Sequence, residues 1–289
     1  MAVEARRKLK ERLAARAGIL VPGAANAMTA RVIEELGYEA VYVTGAGVTN
    51  MSLGLPDHGL ITLSEIAEHV RAIAEVTELP IIVDGDTGFG NPVNVWRTVR
   101  MLERAGASAI QIEDQIFPKK CGHFAGKEVV PTGEMVQKIR AAVDARRDGN
   151  FQIIARTDAR AVHGFEDAIS RAEAFIAAGA DVTFVEAPTS RDELAEIPRR
   201  LAVPQVANMV HGGKTPILPQ RDFAAMRYGC VLYANAALQA ALLATQKVLG
   251  ALLRDGSLEK VGDLLAGFDE RQRAVGKPFF DALEAKYKD

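Results

Sequence analysis

Pro80-Ile81-Ile82-Val83-Asp84-Gly85-Asp86 is a short apolar run that ends in carboxylates. A helical pattern follows, and then Arg104-Ala105-Gly106-Ala107 leads into a second such run, Ser108-Ala109-Ile110-Gln111-Ile112-Glu113-Asp114. Runs this short, rich in Val and Ile and with no regular polar alternation, read as strands buried on both faces of a parallel sheet. Gly106 stands where a helix end calls for a left-handed residue. The same unit recurs along the whole chain. Strand-like runs lie at 18–22, 40–44, 80–84, 108–113, 151–157, 181–186, 204–208 and 230–234, with helical patterns such as 63–75, 93–105, 133–146 and 165–178 between them. Strand and helix alternating eight times predict an α/β fold of the (β/α)8 TIM type. The competing arrangement is an open doubly wound sheet. Its G-x-G-x-x-G mark is absent, because Pro22-Gly23-Ala24-Ala25-Asn26 does not match it. One barrel domain is expected over 1–289, with an N-terminal helix at 1–17 and a helical C-terminal extension over about 236–289.

The bulk composition excludes several classes. A net charge of −2 gives no sign of a nucleic-acid or anionic-membrane partner. The two cysteines, Cys121 and Cys230, are too few and too far apart for a secreted disulfide framework. The first sixteen residues are Arg-rich but carry Glu4 and Glu11 and no apolar core, so they read as an amphipathic helix and the chain as cytoplasmic. The most apolar stretch, 230–253, contains Asn235, Gln239, Gln246 and Lys247, which argues against a membrane span. It still needs cover, from its own barrel or from another subunit.

Barrels of this type carry function at the C-terminal ends of their strands. There Asp84 and Asp86, two apart and so on one side of an extended segment, join Glu113 and Asp114 of the next strand. Such a cluster suits a hard divalent cation, Mg2+ or Mn2+, although a single D-x-D more often caps a helix or pairs with basic residues. Arg156 and Asp158 share a side at the end of the fifth run. They read as a clamp for a carboxylate or phosphate, or as a purely structural ion pair. The turn Thr44-Gly45-Ala46-Gly47 exposes backbone N–H groups that can cradle an anion. Pro118-Lys119-Lys120-Cys121-Gly122-His123 sets a thiol among cations, which lowers its pKa and suits proton transfer; the bland reading is a solvated basic loop. Cys230 reads as core. Asp57 and His58 lie in a loop at the same barrel face, as do His163 and His211, while His69 falls within a helix.

Asp84-Gly85-Asp86-Thr87-Gly88-Phe89-Gly90, Ile112-Glu113-Asp114-Gln115, Lys119-Lys120-Cys121-Gly122-His123 and Ala155-Arg156-Thr157-Asp158 together resemble the isocitrate lyase/phosphoenolpyruvate mutase superfamily, and the Lys-x-Cys-Gly-His loop resembles its carbon–carbon lyase branch. The resemblance implies a barrel whose last helix is exchanged between subunits, usually in a homotetramer. It implies metal ligation by Asp84, with Asp57, Asp86 and Glu113 acting directly or through water. Cys121 would be the acid–base residue, assisted by Lys119, His123, Arg156 and Glu186. Tyr42, Thr44, Gly45, Ala46, Gly122, Arg156, Asn208 and His211 would bind substrate. Many relatives carry Glu in place of His211. The implied reaction is retro-aldol cleavage of a small 2-hydroxy dicarboxylate, such as 2,3-dimethylmalate, to a 2-keto acid and a short carboxylate. Competing readings are 2-methylisocitrate cleavage, oxaloacetate decarboxylation or hydrolysis, phosphonomutase chemistry, and a non-catalytic carboxylate-binding barrel. The loop 208–219 favours alkylmalates, since Val210, Ile217 and Leu218 would form an apolar distal wall. Pro219 stands where oxaloacetate-hydrolysing relatives tend to carry Ser.

Overall fold

The computed structural model describes residues 2–120, 122 and 126–288. Eight strands, β1 (Ile19–Ala24), β2 (Val41–Val43), β3 (Ile81–Asp84), β4 (Ala109–Glu113), β5 (Gln152–Thr157), β6 (Val182–Val185), β7 (Val206–Asn208) and β8 (Cys230–Tyr233), occupy the expected runs. All pair in parallel, in the order β6-β5-β4-β3-β2-β1-β8-β7. The ring closes between β6 and β7 through a parallel bridge, Thr183 to Gln205, where Thr183 Oγ1 donates to Gln205 Oε1 at 2.8 Å. The fold is therefore a TIM-type barrel.

In chain order the helices are α1 (Ala2–Ala14), α2 (Ala27–Glu35), α3 (Gly45–Val48), α4 (Leu63–Ala74), α5 (Pro92–Ala105), α6 (Thr132–Ala145), α7 (Phe165–Ala177), α8 (Arg191–Arg200), α9 (Gln220–Ala225), α10 (Ala236–Asp255), α11 (Phe268–Ala274) and α12 (Lys277–Lys286). Local chemistry marks their ends. Asn91 and Asn94 form a reciprocal capping pair before α5, Pro92 occupies its first turn, and Gly106 at φ 112° ends it.

The apolar side chains divide into an inner and an outer layer. The inner layer contains Val21, Tyr42, Ile82, Ile154, Phe184, Val206 and Leu232. Leu9 and Leu13 of α1 join it, so α1 plugs the end of the barrel opposite the strand C-termini. Arg6 fastens that plug: Nε donates to Ala107 O at 3.0 Å and Nη2 to Glu103 O at 2.7 Å. The outer layer packs Val83, Ile110, Val99 and Ile139 between sheet and helices. Cys230 lies fully buried in the inner layer, and burial pushes its thiol up to about 12.

The last barrel helix behaves differently. Among its residues only Ala251 is buried. Leu242, Leu243 and Leu249 face outward, and Leu253 is 90 % exposed. By length and composition alone α10 could cross a membrane. The segments beyond it expose Phe268, Phe279 and Phe280 as well. Within a single chain this apolar surface has no cover.

Candidate active site

The strand C-termini gather an unusual concentration of buried charge. Asp84 ends β3, and Asp86 follows it with a left-handed φ of 44°. The two carboxylates therefore meet across a turn, not along an extended segment as their spacing suggested. Asp86 N donates to Asp84 Oδ1 at 3.2 Å. Gly85 must be glycine here, because a Cβ would stand 2.7 Å from Gln111 O. Gln111 links neighbours by accepting from Tyr42 Oη at 2.9 Å and donating to Asp84 Oδ1 at 3.4 Å.

Arg156 is the centre of the cluster. Its Nε and Nη2 hold Asp158 at 2.9 and 3.1 Å, Nη1 lies 3.2 Å from Glu113 Oε2, and Nη2 lies 3.2 Å from Glu186 Oε2. Its guanidinium also lies 5.2 Å from the centre of the Phe184 ring. Asn208 Nδ2 donates to Glu186 Oε2 at 3.2 Å. Lys127, buried, reaches Asp158 Oδ1 at 2.6 Å and donates also to Gly122 O. Gly122 rests on this group so closely that a Cβ would lie 2.7 Å from Glu186 Cγ. Across the mouth, Lys119 Nζ lies 2.9 Å from Asp86 and donates to Asp57.

Charge does not balance here. Six carboxylates, Asp57, Asp84, Asp86, Glu113, Asp158 and Glu186, stand with four cations, Lys119, Lys120, Lys127 and Arg156. Burial raises the Glu113 carboxyl well above the ordinary range and the Asp86 carboxyl to about 7, although Arg156 and Lys119 pull the other way. Burial alone would lower Lys119, but Asp86, Glu113, Asp84 and Asp57 together hold its ammonium well above the usual value. Asp158 is held low despite its burial, because Arg156 and Lys127 both bond it. Glu113 Oε1 and Asp86 Oδ1 are buried without a hydrogen-bond donor among the described residues, although the latter sits close to Lys119. A divalent cation would supply what these oxygens lack. Among the described residues no three His, Cys, Asp or Glu side chains form a ready-made cage. The donors instead fit a hard cation that keeps most of its waters and takes one or two carboxylates, as Mg2+ does.

Two spaces adjoin this cluster. An inner cavity of about 40 Å3 is lined by Tyr42, Thr44, Asp84, Glu113, Arg156 and Asn208, among others. At Ala46, Asp57, Val210 and Asn235 it meets an outer groove of about 820 Å3. A further cavity of about 860 Å3, largely apolar, lies beyond Asp86 between α4, α5 and α6, away from Arg156.

Tyr42, Thr44, Ala46, Asp57, Asp84, Glu113, Lys119, Gly122, Arg156, Glu186 and Asn208 all line the inner cavity. Gly45 and Asp86 lie against it, since a Cβ at Gly45 would be 3.2 Å from Asp84 Oδ2 and 3.3 Å from Asp86 Oδ1. Cys121 and His123 lie outside the described residues. His211 borders only the outer groove. The turn after β2 folds as α3, and Gly45 N donates to Asp84 Oδ2 at 3.3 Å while Gly47 N donates to Thr44 Oγ1 at 3.1 Å. The anion cradle expected there thus spends two of its donors inside the protein. The distal wall needs a larger correction. Val210 lines both spaces, but Ile217 is exposed, Leu218 packs on the cluster around Phe223, and Pro219 begins α9. The loop follows the outer groove as far as Gly213 and then turns away. Neither the wall of Ile217 and Leu218 nor an argument from Pro219 survives. Lys127, Gln111 and Asn235 carried no role in the sequence reading. Nothing local marks them, because each acquires its partners from distant strands.

The chain matches the family model described as phosphoenolpyruvate phosphomutase over residues 9–253. It is 43 % identical over 280 residues to a 2,3-dimethylmalate lyase of Eubacterium barkeri, covering 97 % of each chain. It is 45 % identical over 278 residues to a 2-methylisocitrate lyase of Aeropyrum pernix, covering 96 % of this chain and 89 % of the other. A crystal structure of 2,3-dimethylmalate lyase superposes with a TM-score of 0.91 at 34 % identity, covering 100 % of this chain and 96 % of the other. A phosphonopyruvate hydrolase solved with oxalate and Mg2+ superposes with a TM-score of 0.88 at 33 % identity, over 100 % of both chains.

Removing Lys127 should be costly, since it leaves Asp158 buried with Arg156 alone and Gly122 O without its donor. Lys127→Ala is expected to lose about 3 kcal/mol of unfolding free energy in a urea titration, the lower end for breaking a buried pair. A loss below about 0.5 kcal/mol would show that the pair is not needed for stability.

Proposed function

Because this chain belongs to the phosphoenolpyruvate mutase and isocitrate lyase superfamily, we propose that it is a magnesium-dependent lyase of 2-alkylmalates. It would cleave 2,3-dimethylmalate or a close analogue to pyruvate and a short carboxylate. As in the 2,3-dimethylmalate and 2-methylisocitrate lyases, its chemistry is the breaking of a carbon–carbon bond. One observation carries the substrate class. A mouth with more carboxylates than cations favours a dianion only in company with a divalent cation, and among the described residues no Arg or Lys lines the outer groove. That groove presents Leu55, Val210, Leu238 and Leu242, with His211 as its one basic side chain. These suit an alkyl substituent better than a third carboxylate. The 2-methylisocitrate lyase relative makes that tricarboxylate the principal rival.

Asp84 would hold the cation, with Asp57, Asp86 and Glu113 direct or through water. When bound, Mg2+, or Mn2+ in its place, supplies Lewis-acid stabilisation of negative charge on oxygen. The phosphonopyruvate hydrolase containing Mg2+ supports that assignment. Arg156 is the guanidinium at the mouth and orients the substrate carboxylate, with the Thr44 hydroxyl and the Ala46 end of α3 beside it. Asn208 Oδ1 is buried without a donor among the described residues and offers an acceptor to the C2 hydroxyl. That hydroxyl loses its proton to a neighbouring carboxylate, for which Glu186 is the candidate. The C2–C3 bond then breaks, its electron pair leaves on C3, and the C2 oxygen becomes the keto group. Cys121 protonates the C3 fragment, with Lys119 and His123 as its companions in the loop. Gly122, next in sequence, rests on Arg156 and Glu186, which supports a place for Cys121 at the site.

The exposed apolar face of α10 calls for a second copy of this chain, consistent with a homotetramer whose last helices are exchanged.

A coupled pyruvate assay on a panel of malates and tricarboxylates tests the substrate. Turnover of 2,3-dimethylmalate or citramalate is expected, abolished by EDTA or by Asp84→Ala and restored to the wild type by Mg2+. A kcat/KM for 2-methylisocitrate well above every alkylmalate would move the assignment to the tricarboxylate, and undiminished activity in EDTA would defeat the metal requirement. Cys121→Ser should fold and bind oxalate, yet lose cleavage by at least about two orders of magnitude, the scale of general acid catalysis. Near wild-type turnover in that variant would remove Cys121 from the mechanism. Light scattering at micromolar concentration should report an oligomer, and a stable monomer would leave α10 without an explanation.

A further inference from the structure

The outer wall of the barrel carries a second concentration of charge, of opposite sign to the mouth. A groove of about 460 Å3 between α4 and α5 is lined by Arg71, Arg97, Arg100, Arg104, Arg147 and Trp96, with small and apolar side chains completing it. Arg97, Arg100 and Arg104 stand at i, i+3 and i+7 of α5 and so share one face of the helix. Arg71 lies in the last turn of α4, and Arg147 follows α6. Arg104 and Arg147 precede the next strands, so the groove runs toward the end of the barrel opposite the active site.

The guanidiniums are not neutralised. Elsewhere in the chain Arg6, Arg146, Arg160 and Arg171 each hold a carboxylate. Among the described residues, none of the five in the groove has an ion-pair partner within 4.0 Å. Glu103, the acid on the same helix, is buried and committed to Arg6 and to the backbone N–H groups of Arg147 and Asp148. Arg100 lies over the Trp96 ring at 4.9 Å, a contact that orders the guanidinium without balancing its charge. The chain as a whole has a net charge of −2, so this basic patch is local and not a reflection of composition.

Five crowded like charges repel one another, and a bound anion reverses the sign of that interaction. Planar guanidiniums pair two-pronged with phosphate oxygens. The row from Arg97 to Arg104 extends about 10 Å along the helix, longer than one phosphoryl group and suited to a short chain of them. A volume of about 460 Å3 lies within the size range of small-molecule sites. We infer that this groove is a binding site for a small linear polyphosphate, either free or as the phosphate chain of a nucleoside triphosphate. It is separate from the barrel mouth and does not depend on what the mouth cleaves.

Trp96 is the only tryptophan in the chain, so its emission reports on this groove directly. Titrating the full-length protein with sodium tripolyphosphate should give a saturable change, and calorimetry should give one site per chain. The double variant Arg100→Ala/Arg104→Ala should weaken binding by about tenfold or more, the scale of losing charge-assisted hydrogen bonds. Lyase activity measured without polyphosphate should stay unchanged. Arg100→Lys/Arg104→Lys, which keeps the charge and guards against a folding artefact, should lose less. ATP in a parallel titration separates the two sources: tighter binding than tripolyphosphate marks a nucleotide, equal binding marks the phosphate chain alone, and both uphold the site. A response that never saturates and is matched by sodium chloride at equal ionic strength would overturn the inference. So would undiminished affinity in the double alanine variant.

Discussion

The buried guanidinium of Arg156 is the contact on which the active end of this barrel depends. Carboxylates from three successive strand ends, Glu113, Asp158 and Glu186, converge on it. Without that cation they would repel one another in a poorly solvated space. Lys127 adds a second charge at Asp158 and ties it to Gly122, so the loop after β4 is seated on the same hub. Tyr42, Gln111 and Asp84 form a parallel chain of hydrogen bonds one strand over. The site is thus a polar network on a rigid ring of strands, with few of its groups free to relax.

That network is deliberately incomplete. Four cations do not offset six carboxylates, and one buried oxygen, Glu113 Oε1, accepts no hydrogen bond among the described residues. In an ordinary core such a deficit would simply cost stability. At the mouth of a barrel it suits the divalent cation and the anionic substrate proposed for this site. The positive φ of Asp86 fits this picture, because it is a turn, and not an extended segment, that sets its carboxylate near Asp84 and Lys119. The fold also separates its charges in space, with the anionic cluster at the strand C-termini and an arginine-lined groove on the outer wall.

The outer groove and an uncovered apolar face meet at α10. Asn235, just before this helix, lines the inner cavity, and Leu238 and Leu242 line the outer groove, yet most of the apolar surface of the helix is uncovered in a single chain. Whatever covers α10 therefore also borders the space where the distal part of a substrate would lie.

The barrel was legible in the sequence because buried parallel strands are apolar throughout, and helices announce their ends by caps such as Gly106. The carboxylates of β3 and β4, Arg156 and the Lys119 loop were legible for a related reason: charged residues at the ends of apolar strands have only the mouth to face. What sequence could not decide was direction after a strand ends. Val210 turns toward the cavity, while Ile217, Leu218 and Pro219 leave with the loop toward α9, and no local pattern separates them. Nor could it assign Lys127, Gln111 or Asn235, whose partners come from other strands and loops and become neighbours only when the ring closes. Periodicity and composition determine which segments are buried, because burial is a local cost repeated at every residue. Which polar groups meet is a long-range consequence of closure, and only the tertiary structure decides it.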